Sequence, residues 1–140
     1  MSSDLVVDGV PYPYHLAIAE DWLVHYWRVT GLMEAHDWMR AEEERFLREP
    51  QRAMPAWDIA FAGIAEAIGL DYFGVDCTVL TDGTILVFEC DPSAFVHCRE
   101  ASDGPFAYKY AYVPRIFAAL DRLLDRAAAR SAGRSVDAND

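Results

Sequence analysis

The chain has 140 residues, 53% of them hydrophobic and 13% aromatic, which is material enough for one domain with a real core. A formal net charge of −11, from 12 basic and 23 acidic residues, argues against binding a nucleic-acid backbone. No apolar run approaches the ~20 residues of a membrane span, so a cytoplasmic protein without membrane contact is expected.

Residues 5–10 (LVVDGV) and 12–18 (YPYHLAI) are rich in β-formers, with Pro11 and Pro13 marking an edge or an irregular join. A turn at 19–21 leads into WLVHYW (22–27), which reads as another strand and closes a hairpin. From His36 to Glu49 the pattern is helical. Arg40–Glu44 and Glu44–Arg48 have i, i+4 spacing, Met39, Phe46 and Leu47 share an apolar face, and Glu42–Glu44 read as a solvated face. A second helix, about 56–68, follows Pro55 and stops at Gly69. Its Trp57, Phe61, Ile64 and Ile68 recur at helical spacing, so it should be well buried.

After a hairpin at 72–91 and a loop through 93–105, a long helix is expected over about 110–130. Val113, Ile116, Phe117, Leu120, Leu123, Leu124 and Ala127 form its apolar stripe. The expected domain covers 1–130, and the polar segment 131–140 reads as a disordered tail.

The hairpin holds three carboxylates in otherwise apolar strands. Asp82-Gly83 predicts a two-residue turn, so Thr81 pairs with Thr84 and Asp76 with Glu89. Asp91 then lies on the same face, opposite Gly74, which leaves room there. Phe73, Val75, Cys77, Val79, Leu86, Phe88 and Cys90 form the predicted core face, with Ile85 and Val87 on the acidic one. Two carboxylates ~5 Å apart repel by about 3 kcal/mol at an effective dielectric near 20. Such a cluster calls for a cation, a shared proton or water. Oxygen ligands of this kind suit Mg²⁺ or Mn²⁺ bridging to phosphates.

The pattern D-x₅-DG-x₅-E-x-D, read as Asp76, Asp82-Gly83, Glu89 and Asp91, resembles the metal-binding hairpin of the ATP-grasp superfamily. Residues 8–125 look like the C-terminal part of such a domain, with Asp91 where that family usually has Asn. The resemblance implies an α+β fold, an antiparallel sheet packed against helices. It also implies Mg²⁺ (or Mn²⁺) held by Asp76, Glu89 and Asp91 against ATP, in a carboxylate-ligase system. His97 and Lys109 are the expected nucleotide contacts. Lys109 is the single lysine of the chain and no Gly-rich phosphate loop is present, so the other phosphate-binding groups are expected from a missing lobe or a protein partner. The alternative is a non-catalytic relative that acts as a protein-interaction module, alone or as a homo-oligomer.

Other candidates carry less. His15 and His25, next to aromatics, read as structural histidines, and Arg99 as a surface charge. A zinc site from Asp91, His97 and Cys98 is possible on ligand type. Cys77 and Cys90 read as inert small hydrophobes. Trp22, Tyr26, Trp27 and Trp38 read as core or as an interface.

Overall fold

The structure, a computed structural model, describes residues 1–19, 28–98 and 101–136, with side chains through Ser131. The fold is α+β, built on one four-stranded antiparallel sheet, as expected. Strands β1 (Ser2–Val7), β2 (Val10–Leu16), β3 (Tyr72–Val79) and β4 (Ile85–Asp91) are ordered β2-β1-β3-β4. Pro11 and Pro13 lie on the edge strand β2, where an N–H can point away from the sheet. The expected strand at 22–27, with Trp22, His25, Tyr26 and Trp27, lies outside the described residues, as does Arg99.

Two Asp-Gly pairs take different turns. Asp8 and Gly9, within the stretch expected to be extended, have φ of 55° and 75° and make the two-residue turn between β1 and β2. Asp82-Gly83, expected to make such a turn, is part of a three-residue loop. The N–H of Leu80 donates to the Thr84 carbonyl at 2.8 Å, Gly83 takes φ of 86°, and the Asp82 carboxylate accepts the Thr84 N–H at 2.9 Å. Thr81 therefore does not pair with Thr84.

The longer loop shifts the ladder by one residue, and an extra residue in β4, Phe88, shifts it back. Val79 faces Ile85, yet Asp76 faces Glu89 and Gly74 faces Asp91. A bulge also inverts the alternation beyond it. Ile85 and Val87 therefore pack toward the core with Cys90, whereas Leu86 and Phe88 are 40% and 41% exposed, the reverse of the expected faces.

Both faces of the sheet are covered. On one, Val6, Phe73, Val75 and Cys77 pack against Phe46 and Leu47 of α2 (Asp37–Arg48), Met54, and Trp57 and Phe61 of α4 (Trp57–Ile68). On the other, Leu5, Val7 and Tyr14 meet Val113, Ile116, Ala119 and Leu123 of α5 (Val113–Val136). Short helices α1 (Thr30–Ala35) and α3 (Pro50–Ala53) flank α2.

Details of the helices depart from the pattern. Arg40 pairs with Asp37 and Arg45 with Glu42, one turn back, rather than through Glu44. α4 buries only Trp57 and Phe61 fully, and Ile68 is exposed, because one strip of this helix meets the sheet. α5 runs to Val136, so 131–136 continue the helix instead of starting a tail. Phe117 and Leu124 are exposed at the margin of its buried stripe.

Candidate functional site: a polar row across the sheet

The register of the three ladders places four polar residues in one line. His15 pairs with Ser3, Ser3 with Asp76, and Asp76 with Glu89. Cross-strand partners share a face, so this row crosses the sheet from edge to edge on the α5 side. Strands lie about 4.8 Å apart, so the row spans roughly 14 Å of backbone. Both irregularities of the sheet flank it. The unpaired residue of β2, Tyr14, lies on one side of the row, and the unpaired residue of β4, Phe88, on the other. Bulges commonly re-aim side chains beside functional sites.

At one end of the row, Asp76 is half-buried and Glu89 exposed, opposed as expected. Asp91 is on the same face, but one carboxylate oxygen is taken by Ser93, accepting its N–H at 2.8 Å and its hydroxyl at 2.9 Å. The space expected over Gly74 is not open. A Cβ there would lie 2.5 Å from the Ala94 Cβ, because the chain after Asp91 folds back across the sheet. Tyr72 fastens it by donating its hydroxyl to the Ala94 carbonyl. Among the described residues no three His, Cys, Asp or Glu side chains are gathered to hold a metal, and the trio considered for zinc, Asp91, His97 and Cys98, is not assembled.

The returning segment reaches β2, where Tyr14 clamps it. The Tyr14 hydroxyl lies 2.6 Å from Nδ1 of His97 and 2.8 Å from its carbonyl, and it accepts the His97 N–H at 3.0 Å. His97 is thus brought to the row's other end, with its ring 6.5 Å from that of His15. Ala94, Val96 and Cys98 of the same segment pack against the α5 face.

Beneath His15 lies a buried polar cluster. Lys109, expected at a nucleotide, is fully buried in a 3-10 turn (Ala107–Ala111). Its Nζ lies 3.0 Å from Nδ1 of His15 and 3.3 Å from Glu43, and it stands over the Phe106 ring. That charge is committed to the interior, so the expectation of a phosphate contact is corrected. Glu43, expected on a solvated face, is also fully buried. It accepts the Leu16 N–H at 3.1 Å and the Tyr108 hydroxyl. Burial alone would raise its pKa, but His15, the Lys109 charge and the Tyr108 hydroxyl together hold it below the ordinary value. Burial and the Glu43 charge push the Tyr108 phenol up.

The signal for Glu43 was present in the sequence: Met39, Glu43, Phe46 and Leu47 recur at i, i+4, i+7 and i+8, so one face carries all four. No local pattern marks Lys109. His15 is buried and partnered, as a structural histidine should be, yet it stands in the row. Cys77 is buried in the core, its thiol pushed up to about 12 by burial and by the charge of Asp4. Trp38 is exposed.

Comparison of the chain with protein-family models, with curated proteins and with solved structures finds no match. No helix among the described residues is long and apolar enough to cross a membrane.

Proposed function

We propose that the chain is the cation-binding part of an ATP-grasp-like domain, with Asp76 and Glu89 as the ligands of Mg²⁺ or Mn²⁺ against the phosphates of ATP. The observation that carries this is the direct opposition of Asp76 and Glu89 in the β3–β4 ladder. Opposed like charges weaken a sheet unless something compensates them. Mg²⁺ typically uses one or two carboxylates and takes its other ligands from water and phosphates, which fits an opposed pair better than a closed protein cage. The bound ion would screen the phosphate charge.

Lys109 is the single lysine and is buried, so cationic contacts to ATP would come from arginines or from another chain. The reading is therefore of a part of a ligase system, inactive by itself. The alternative, a non-catalytic interaction module, draws on the apolar side chains that the fold leaves outside, among them Phe117 and Leu124 on α5.

Calorimetry with Mn²⁺ and ATP, together and separately, tests the reading. The expected result is metal-dependent nucleotide binding and a metal-dependent rise in melting temperature, both lost in Glu89→Gln. Identical melting curves with and without metal and nucleotide would leave the interaction module as the surviving reading.

A further inference from the structure

The two core layers come to the surface together at the edge strand β2, and a pocket of about 310 Å³ opens there. That is the lower end of the range for small-molecule sites, about 300–1,000 Å³. Its floor is apolar and buried, made by Leu47 of α2, Trp57 of α4, Tyr112, and Ile116 of α5. Pro11, Tyr12 and Pro13 of β2, all half-buried, form a wall. The two prolines limit what binds. Neither has an N–H, so β2 cannot build a full ladder with an added strand, and an extended peptide loses its usual anchor. A compact ligand meets no such obstacle.

The rim carries the charge. Arg115 is exposed and lies over the Tyr112 ring, its guanidinium carbon 5.0 Å from the centroid. Among the described residues no carboxylate pairs with it. Stacking holds the guanidinium fork in place without using its N–H donors. Arg48, also in the lining, gives only its Nε to Glu49 among the described residues, at 3.4 Å. The one acid of the lining, Asp58, accepts from the Gln51 amide at 3.1 and 3.3 Å. Two guanidinium groups and one engaged carboxylate leave this rim positive, in a chain of net charge −11.

We propose that the pocket binds a small aryl carboxylate, its carboxylate on Arg115 and Arg48 and its ring on the apolar floor. The guanidinium fork matches a carboxylate, and proline and aromatic rings suit a planar apolar body. Inorganic phosphate has nothing to place on the floor, and its second charge would face Asp58. The pocket lies on the edge strand β2 and the Asp76–Glu89 pair at the opposite edge, so neither the site nor its test depends on that reading.

Calorimetry on the whole chain without metal tests the proposal, with naphthoate, the neutral naphthamide and inorganic phosphate as probes. Naphthoate should bind saturably, and naphthamide and phosphate more weakly by about tenfold or more. Arg115→Gln should weaken naphthoate binding by about tenfold, the worth of one charge-assisted hydrogen bond. Arg122→Gln removes the same charge from the same helix outside the pocket, and should leave the affinity unchanged. Melting curves check that both variants fold. Absence of saturable naphthoate binding, equal affinity for naphthamide or phosphate, or equal losses in the two variants would overturn the proposal.

Discussion

Nζ of Lys109 and Nδ1 of His15 lie 3.0 Å apart, both side chains buried, although 93 residues of chain separate them in sequence. With Glu43 at 3.3 Å from the same ammonium, they tie the edge strand to α2 and to the turn that precedes α5. Removing one charge leaves the other buried and uncompensated, which typically costs about 3–5 kcal/mol. Lys109→Met should therefore be strongly destabilising in urea unfolding, and Lys109→Met with Glu43→Gln should recover part of the loss. A double variant whose loss equals the sum of the two single losses would mean that the pair is not coupled.

Glu43 also predicts an acid limit. Its pKa is depressed in the fold, so its contribution is present above the ordinary value of 4.5 and is lost as pH falls through the lower one. Glu43→Gln should flatten this acid limb of the stability profile, measured by denaturation across pH.

Asp4 has the opposite sign. It is fully buried, its Oδ1 has no hydrogen-bond partner, and burial raises its pKa well above 3.8 despite contacts from Ser2, Cys77 and the Tyr14 backbone. The stability it contributes is complete below 3.8 and declines as pH rises through the raised value. Asp4→Asn should therefore be more stable than the parent at neutral pH, with the gap widening as pH rises above 3.8 toward the raised value. A gap that narrows with rising pH would contradict this sign.

Gly74 is the seat of the returning segment. A methyl group there would collide with Ala94, so Gly74→Ala should cost about 1–3 kcal/mol, as overpacking does. Gly74→Ala with Ala94→Gly should restore most of it, and protease protection of the 92–98 segment should follow the same order.

The hairpin register was legible in the sequence, although the route to it was not. Alternating apolar residues and the Asp-Gly pair place Asp76 opposite Glu89 and Gly74 opposite Asp91, and the structure has both pairs. The turn is one residue longer than expected and the Phe88 bulge absorbs the difference, so two errors cancel at the acids and not beyond them. Ile85, Val87, Leu86 and Phe88 sit on the wrong predicted faces because a bulge has no reliable local signature.

What the sequence alone determined are the features set by near neighbours: the strands of the second hairpin, the apolar face of α2, and the stop of α4 at Gly69, which takes the left-handed conformation there. Tertiary structure decided the rest. The row from His15 to Glu89 exists because β1 pairs with β3 across some 70 residues, and no periodicity along the chain encodes that pairing. Burial of Lys109 and Glu43 likewise follows from where α2 and the 3-10 turn meet the edge strand. A charge in sequence reads as solvated until its partner is known, and here the partner is distant in the chain and adjacent only in the fold.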